Sequence, residues 1–550
     1  MFRNILFFLF WASWPTEPIS QQVCHPNFGA FYRKHKFKPA LPYLAKDGRT
    51  INLEHLNFVY ILFLAEVPSK NYNLSGKIAK SIRISGGSFM QEITEKISFT
   101  RGAGAHKSFS TGLDPAKFLI LGFAAVILTG AALLCFPFAS AAGKNTDFLT
   151  SLFTATSAVC VTGLVVVDTA THWSFWGQLI IIVLIQTGGL GIMTMATLFF
   201  LLMGKRIGFK ERMLIKEGLN QLDVAGVVKL AKIVLFFTFI TEGTFAAILA
   251  ARWLPDVGWP RCLWFGLFHS VSAFNNAGFD IFGKIYGEFH SLTAYVADPI
   301  VVFSITTLII LGGIGFSVVM NIIHIKQHKL SVHSWLAIVI TLVLIAGGTF
   351  LFLLFEWSNT LKPLTWEGKL LAAYFQSITP RTAGYNTIDT ASLRSATQFL
   401  LVILMFIGAS PGSTGGGIKT TTLGLLLSAI WSCARGREDA EIKNRRIPTE
   451  QVYKALSVAF LSGFLVIAVT LFLNLTEKAG FLPVLFETVS AFGTVGLSMN
   501  MTPTLSDFGR ILIILTMFAG RLGPLTLAYA LAQGRQKSVV RHPVEKILIG

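Results

Sequence analysis

Charge is scarce in this chain. Only 13% of its 550 residues are charged, 53% are hydrophobic and the mean hydropathy is +0.62. A water-soluble protein of this length could not cover its surface with so few polar groups, so the composition excludes a soluble multidomain protein and indicates a polytopic membrane protein. Cysteine is scarce too. Cys135, Cys160 and Cys433 lie in or at the end of apolar segments, Cys24 and Cys262 are isolated, and no C-x-x-C spacing occurs. A disulfide framework and a zinc or redox motif are thereby disfavoured. Ser/His/Asp, paired-carboxylate and Walker constellations are missing as well, which leaves nothing to support a hydrolase, another enzyme, or a pump with its own ATPase. The net charge is +18, but the basic residues sit in short polar loops and not on an aromatic-interleaved face. That distribution sets membrane orientation and argues against nucleic acid as a partner.

Residues 1–110 are polar and basic, with Arg33-Lys-His-Lys-Phe-Lys38 as their densest charge run. Their apolar patches, Ile5 to Phe10 and Phe58 to Ala65, are too short to span a bilayer. Met1 to Ser20 can be read as a signal peptide, with one Arg, an apolar core and small residues after it. The reading preferred here is an N-terminal extension that is disordered or reflects a start site set too early, with Met90 as the natural start of translation.

From Pro115 the pattern becomes regular. An apolar run of spanning length, Phe118 to Phe136, is followed by a polar tip at Gly143 to Asp147, a short amphipathic helix, the loop Cys160-Val-Thr-Gly163 and a second apolar run, Phe175 to Met203. The same order returns three times, and the marker glycines Gly163, Gly278, Gly384 and Gly496 are 115, 106 and 112 residues apart. The domain organisation therefore reads as repeats at 111–227, 228–334, 335–451 and 452–534, with a cytoplasmic tail at 535–550. The predicted fold is an all-α polytopic membrane protein. It has four pseudo-repeats of span, pore helix, filter loop and span around a central pore, giving eight transmembrane helices and four re-entrant pore helices. Basic loops at Gly204 to Arg212, His324 to Lys329, Arg435 to Arg446 and Arg535 to Lys546 place both termini in the cytoplasm.

A non-helical backbone at membrane depth is tolerated only where protein buries it or it lines a wet cavity. Cys160, Val161, Thr162 and Gly163, then Asn275, Asn276, Ala277 and Gly278, then Arg381, Thr382, Ala383 and Gly384, then Gly493, Thr494, Val495 and Gly496 supply four such segments. Arranged around one axis they would form a selectivity filter that replaces the hydration shell of K+ with carbonyl dipoles, aided by the negative ends of the short helices. Any one glycine alone is better explained by helix packing; four at near-equal spacing are not.

A second glycine set lies in the later helix of each stretch, at Gly188, Gly189 and Gly191, at Gly312, Gly313 and Gly315, and at Gly520 and Gly523, where packing or a bend is the ordinary explanation. The third stretch differs. Gly408-Ala-Ser-Pro-Gly-Ser-Thr-Gly-Gly-Gly-Ile-Lys419 cannot be a stable helix and should break its span in two. Gly412, Ser413, Thr414, Gly415, Gly416, Gly417 and Lys419 are thus a candidate gate; the likeness to a phosphate loop fails because Ile418 precedes Lys419 and no strand leads in. Arg521 has two readings, a guanidinium near the pore axis that slows cations and an ion pair with Glu487. Arg381 and Glu242 are further intramembrane charges for which structural pairing is the simplest account, and His324 and His328 read as a solvated face, not a metal site.

Cys160-Val-Thr-Gly-Leu164, Asn275-Asn-Ala-Gly-Phe279, Arg381-Thr-Ala-Gly-Tyr385, Gly493-Thr-Val-Gly-Leu497 and the run Gly412 to Lys419 together resemble the Trk/Ktr/HKT superfamily of potassium transporters. The resemblance covers about residues 115–540 and is nearest to the membrane subunits of Ktr systems, with four units and no additional N-terminal pair of spans. It implies K+ uptake across the bacterial plasma membrane, with Na+ as a candidate coupling or activating ion. It also implies a homodimer and a cytosolic KtrA/TrkA-like ring of nucleotide-binding regulatory subunits, with no cofactor in this chain. Gly163 in the first filter accompanies potassium selectivity in that family, and Arg521 takes the place of its pore arginine. A secondary carrier of another cation or small solute is the competing function.

Overall fold

The computed structural model describes residues 115–191, 194–195, 227–326 and 329–524, with five isolated positions beyond. The chain divides into two units, Met1–Ser110 and Thr111–Gly550, and everything described belongs to the second. The expectations for residues 1–110, the basic loop at 204–212, His328 and nearly all of the tail at 535–550 fall outside the described residues.

The described residues are mostly helical. In chain order the helices are α1 (Pro115–Cys135), α2 (Phe148–Val159), α3 (Phe175–Leu190), α4 (Val227–Val257), α5 (Arg261–Phe274), α6 (Pro299–Gly313) and α7 (Phe316–Ile323). They continue as α8 (Val332–Glu356), α9 (Trp366–Ile378), α10 (Ser395–Phe406), α11 (Thr420–Ala434), α12 (Thr449–Thr476), α13 (Phe481–Gly493) and α14 (Asp507–Leu522), with one-turn pieces between some of them. A small antiparallel hairpin, β1 (Glu441–Ile442) and β2 (Arg445–Arg446), follows α11. Its tip residues Lys443 and Asn444 both take left-handed dihedrals, which match the twist of a two-residue hairpin.

α1, α4, α8 and α12 are long and apolar enough to cross a membrane, and α6 with α7 meets the same test despite a 99° bend between them. Most of each long helix faces outward, displaying side chains such as Leu121, Phe236, Phe350, Leu354, Phe460 and Leu471. Each such side chain forgoes about 1.5–3 kcal/mol when left in water. A surface made of them suits lipid.

α2, α5, α9 and α13 have 12, 14, 13 and 13 residues, too few to span, and are largely buried. Their starts are set locally. The Asp147 carboxylate accepts from Leu149 N at 3.0 Å and Thr150 N at 3.2 Å, and the Thr365 hydroxyl accepts from Gly368 N at 3.3 Å. The helices that follow them are capped likewise, α3 by Ser174, α6 by Asp298 ahead of Pro299, and α14 by Ser506.

The sequence predicts a break in the third of these later helices, and the chain indeed leaves α10 at Phe406 and resumes helix at Thr420. At the other three glycine sets it leaves packing and a bend open, and the structure shows both. The run expected to continue from Phe175 to Met203 stops at Leu190, α6 stops at Gly313 and α14 at Leu522, where Gly191, Gly315 and Gly523 take φ of 82°, 96° and 85°. Only glycine adopts that hand without strain, and at Gly315 the chain turns by 99° between α6 and α7.

The glycines just before the bends serve packing. A Cβ on Gly188, Gly312 or Gly520 would lie 1.9, 1.8 or 1.9 Å from the carbonyl oxygen of Val159, Phe274 or Phe492, each at or near the end of a short helix. These contacts hold three of the four short helices, α2, α5 and α13, against the helix after each. Gly312→Ala is therefore expected to lower stability by about 2 kcal/mol through overpacking. Gly347→Ala in α8, where a Cβ meets nothing within 4 Å, should not. Thermal unfolding of the two detergent-solubilised variants checks the contrast.

Candidate functional site

Each short helix ends in the same way. Val161, Asn276, Thr382 and Thr494 take left-handed φ of 57°, 60°, 71° and 51°, and two residues later Gly163, Gly278, Gly384 and Gly496 take φ of 87°, 70°, 76° and 95°. A non-glycine residue in that region costs about 1–2 kcal/mol. The cost is met by tethers to the helix behind. Gly163 N donates to Ser157 Oγ at 3.0 Å and Gly496 N to Ser490 Oγ at 3.1 Å, while Ser272 Oγ donates to Phe279 O at 2.9 Å and Thr379 Oγ1 to Tyr385 O at 2.5 Å. Sequence reasoning missed these hydroxyls, although a serine stands six residues before the marker glycine in three of the four stretches.

The four loops meet one another in chain order. A Cβ on Gly163 would lie 2.4 Å from Ala277 O, one on Gly278 2.6 Å from Ala383 O, one on Gly384 2.4 Å from Val495 O and one on Gly496 2.3 Å from Thr162 O. The last contact returns to the first loop, so the glycines close a ring in which no position has room for a side chain. Cys160, Val161, Thr162, Asn275, Asn276, Ala277, Arg381, Thr382, Ala383, Gly493, Thr494 and Val495 are all buried around it. The Arg381 guanidinium points away, with Nη2 donating to Thr341 Oγ1 on α8 at 3.1 Å, so only the backbone of this residue can belong to the ring. The pairing of Arg381 with Glu242 considered from sequence is not made. Glu242 instead accepts from Gln186 Nε2 at 3.3 Å and Asn275 Nδ2 at 3.0 Å.

On the side of the residues that follow the glycines lies a cavity of roughly 200 Å³, lined by all four glycines and by Asp168, Asp280, Asn386, Ser498 and Asn500 among others. Its charged lining residues are the two carboxylates. Asp168 is tied down by Ala170 N, Thr171 N and Phe289 N at 2.8–3.0 Å. Asp280, in the loop beyond the short helix, has its carboxyl pushed up to about 7 by burial and then by the nearby Asp168 charge, against one hydrogen bond from Phe282 N. The wall after the fourth glycine is held from behind by buried Glu487, which accepts from Ser498 Oγ at 2.7 Å and from Thr502 Oγ1. Glu487 therefore does not pair with Arg521, which removes one of the two sequence readings of that arginine.

On the opposite side, against the residues that precede the glycines, lies the break between α10 and α11. Gly408 N donates to Ile418 O at 2.9 Å and closes the neck of the loop. A Cβ on Gly415 would meet Thr382 Oγ1 at 2.1 Å and one on Gly416 Thr494 Oγ1 at 2.3 Å, so the loop lies directly on the third and fourth segments. Thr414 N donates to Gly312 O at 3.1 Å, Gly412 O accepts from Phe316 N at 2.9 Å, and Ser413 Oγ donates to Ser410 O at 2.6 Å. Lys419 Nζ folds back onto Gly415 O at 2.6 Å, and Gly417 takes φ of 65°. The Arg521 guanidinium donates to the carbonyls of Thr414 and Gly188 and to Gly189 O at 3.2 Å. It thus joins the loop to the end of α3.

A ring of backbone with a carboxylate-lined cavity on one side and a pinned, glycine-rich loop on the other is a cation pathway in form. The sequence profile of a family described as cation transport protein, TrkH, matches residues 88–539. The chain is 43% identical to the Ktr system potassium uptake protein B of Bacillus subtilis, over 79% of this chain and 97% of that one. It is 40% identical to the potassium/sodium uptake protein NtpJ of Enterococcus hirae, over 80% and 98%. The crystal structure of the potassium transporter TrkH from Vibrio parahaemolyticus shares the fold, with a TM-score of 0.59 at 18% identity over 76% of this chain and 85% of that one. The chain belongs to the TrkH/Ktr family of cation transport proteins and is a multi-pass membrane protein.

The Asp280 carboxyl at the cavity gives a pH dependence. Asp280 is charged above about pH 7 and neutral below it, so cation influx from the cavity side at subsaturating concentration should fall as that side goes from roughly pH 8 to pH 6. Asp280→Asn should lower influx at low ionic strength and flatten this profile. Rubidium uptake into proteoliposomes at several pH values checks both.

Proposed function

We propose that the chain takes up potassium across the bacterial plasma membrane through a gated pore, as the ion-translocating subunit of a Ktr/Trk-type system. The observation that carries this reading is the closed order of contacts among Gly163, Gly278, Gly384 and Gly496. Four backbone segments of one hand around one opening can replace the water of a weakly hydrated monovalent cation with carbonyl oxygens. The Thr162 hydroxyl, buried and with no protein partner, fits a segment that faces an ion. The ring has no space for the convergent side chains that a carrier of an organic solute would need, which disfavours the competing function.

In this reading the chain comprises four pseudo-repeats, 111–227, 228–334, 335–451 and 452–534. Each contributes a span, a re-entrant pore helix (α2, α5, α9 or α13), a filter loop and a bent second span, for eight transmembrane helices in all. Both termini and the hairpin after α11 face the cytoplasm, and the cavity lined by Asp168 and Asp280 faces out. The Gly412–Gly417 segment with Lys419 and Arg521 is the gate, since it lies against Thr382 and Thr494 and is pinned from two other helices. The system works as a homodimer with a cytosolic KtrA/TrkA-like nucleotide-binding ring. Relatives named for potassium and for potassium/sodium uptake support K+ as the transported ion and Na+ as a coupling or activating one.

Rubidium uptake by purified protein in proteoliposomes, competed with potassium and sodium, tests the proposal. Gly163→Ser puts a Cβ 2.4 Å from Ala277 O and should admit sodium or abolish uptake; unchanged uptake and selectivity would sink the filter assignment. Deleting Ser413–Gly417 in a protein that still folds should raise flux several-fold; unaltered or lost flux would count against a gate.

A further inference from the structure

Glu242 lies in the middle of α4, is 3% exposed, and has no basic side chain within ion-pair distance among the described residues. Its surroundings are amides. Glu242 Oε1 accepts from Asn275 Nδ2 at 3.0 Å and Oε2 from Gln186 Nε2 at 3.3 Å, while Gln186 Oε1 accepts from the same Asn275 nitrogen at 2.8 Å. Ser270 Oγ of α5 donates to Glu242 O at 2.7 Å. An ionisable side chain inside a span is expensive, and one held by two amides from two other helices is placed there for what it holds.

What it holds is the first residue of the second glycine loop. Asn275 caps α5 immediately before the left-handed Asn276, whose carboxamide bonds Thr382 Oγ1 of the third loop at 3.0 Å. On its other side the Asn275 carboxamide fills the space left by a missing side chain, because a Cβ on Gly189 would lie 2.0 Å from Asn275 Oδ1. The Gly189 carbonyl is in turn a partner of Arg521. A path of contacts therefore runs from Glu242 through Asn275 to Gly189 and Arg521, and through Asn276 to Thr382. It reaches two of the four loops and the pinned segment without Glu242 touching the ring.

We propose that Glu242 is a positioning residue for ion discrimination. With Gln186, and with the Val271 carbonyl that accepts from the same nitrogen at 2.9 Å, it fixes the Asn275 carboxamide and so the rotation of the second loop, and with it the size of the ring that the transported cation meets. The proposal rests on the ring being the filter, and its test separates the two.

Glu242→Leu keeps the volume and removes both hydrogen-bond acceptors; Glu242→Gln keeps one acceptor and a donor. In proteoliposomes with equal amounts of folded protein, the leucine variant should raise the apparent KM for rubidium and improve competition by sodium by up to about tenfold, the upper end of what one lost buried hydrogen bond gives. Its maximal rate should change less, and the glutamine variant should restore values near those of the natural protein. Amide exchange over residues 275–279 should rise in the leucine variant and not in the glutamine one. If the leucine variant does not fold, Gln186→Leu carries the same test, with a smaller shift in the same direction. Folded variants with unchanged KM, sodium competition and amide exchange overturn the proposal, as does a glutamine variant as impaired as the leucine one. If the natural protein takes up no rubidium, the filter assignment fails, and amide exchange still decides whether Glu242 positions the loop.

Discussion

The structure depends on a steric fact: at four places in the ring, backbone must pass so close to backbone that no Cβ fits. Each marker glycine faces the carbonyl of the residue before the next marker glycine at a distance that would put a side-chain carbon within 2.6 Å of oxygen. Much of the architecture brings these backbones together and keeps them there. The short helices deliver the loops, the serine and threonine tethers fix their hand, and a second layer of glycines lets the following helices press against the short-helix ends. The outward-facing leucines and phenylalanines of the long helices anchor this assembly in lipid and contribute nothing to the ring directly.

Polar groups inside the bundle are distributed by the same logic. Glu487, Glu242 and Arg381 are buried and Lys419 and Arg521 partly so, yet among the described residues none is joined to another of the set as an ion pair. Each is instead satisfied largely by hydroxyls, amides or backbone carbonyls. Opposite charges brought together in a low-dielectric interior lose much of their solvation and gain it back only with excellent geometry. Hydrogen bonds to backbone achieve something an ion pair would not, since they fix the loops themselves. Arg521 shows this most clearly, because its partners are the carbonyls of two separate chain segments.

Much of this was legible in the sequence. The spacing of Gly163, Gly278, Gly384 and Gly496 pointed to four related loops, and the proline and glycines between Gly408 and Gly417 pointed to the break after α10, because glycine density and regular spacing survive translation into structure. The breaks at Gly191, Gly315 and Gly523 were half legible: glycine clusters such as Gly188-Gly-Leu-Gly191 read equally as packing or as a bend, and only the backbone angle tells which glycine serves which. The left-handed Val161 and Thr494 were hidden for a different reason: neither residue type favours that conformation, and the surrounding hydrogen bonds override local preference. The partners of Glu242 and Glu487 lay far away or on unmarked hydroxyls, so charge alone suggested ion pairs that do not form.

The order of contacts around the ring has a consequence for how the protein is made. The bond from Arg521 to Gly188 joins residues 333 positions apart, and the contact from Gly496 to Thr162 spans a comparable stretch. Chains emerge from the ribosome N-terminus first, at about 5–20 residues per second. The first loop is therefore finished well before the residues that complete its opening exist. Until the last quarter of the chain arrives, three loops stand with an open flank, and a truncated product would carry most of the membrane segments and no closed ring. The ring is a property of the closed circle and appears only when the fourth loop meets the first.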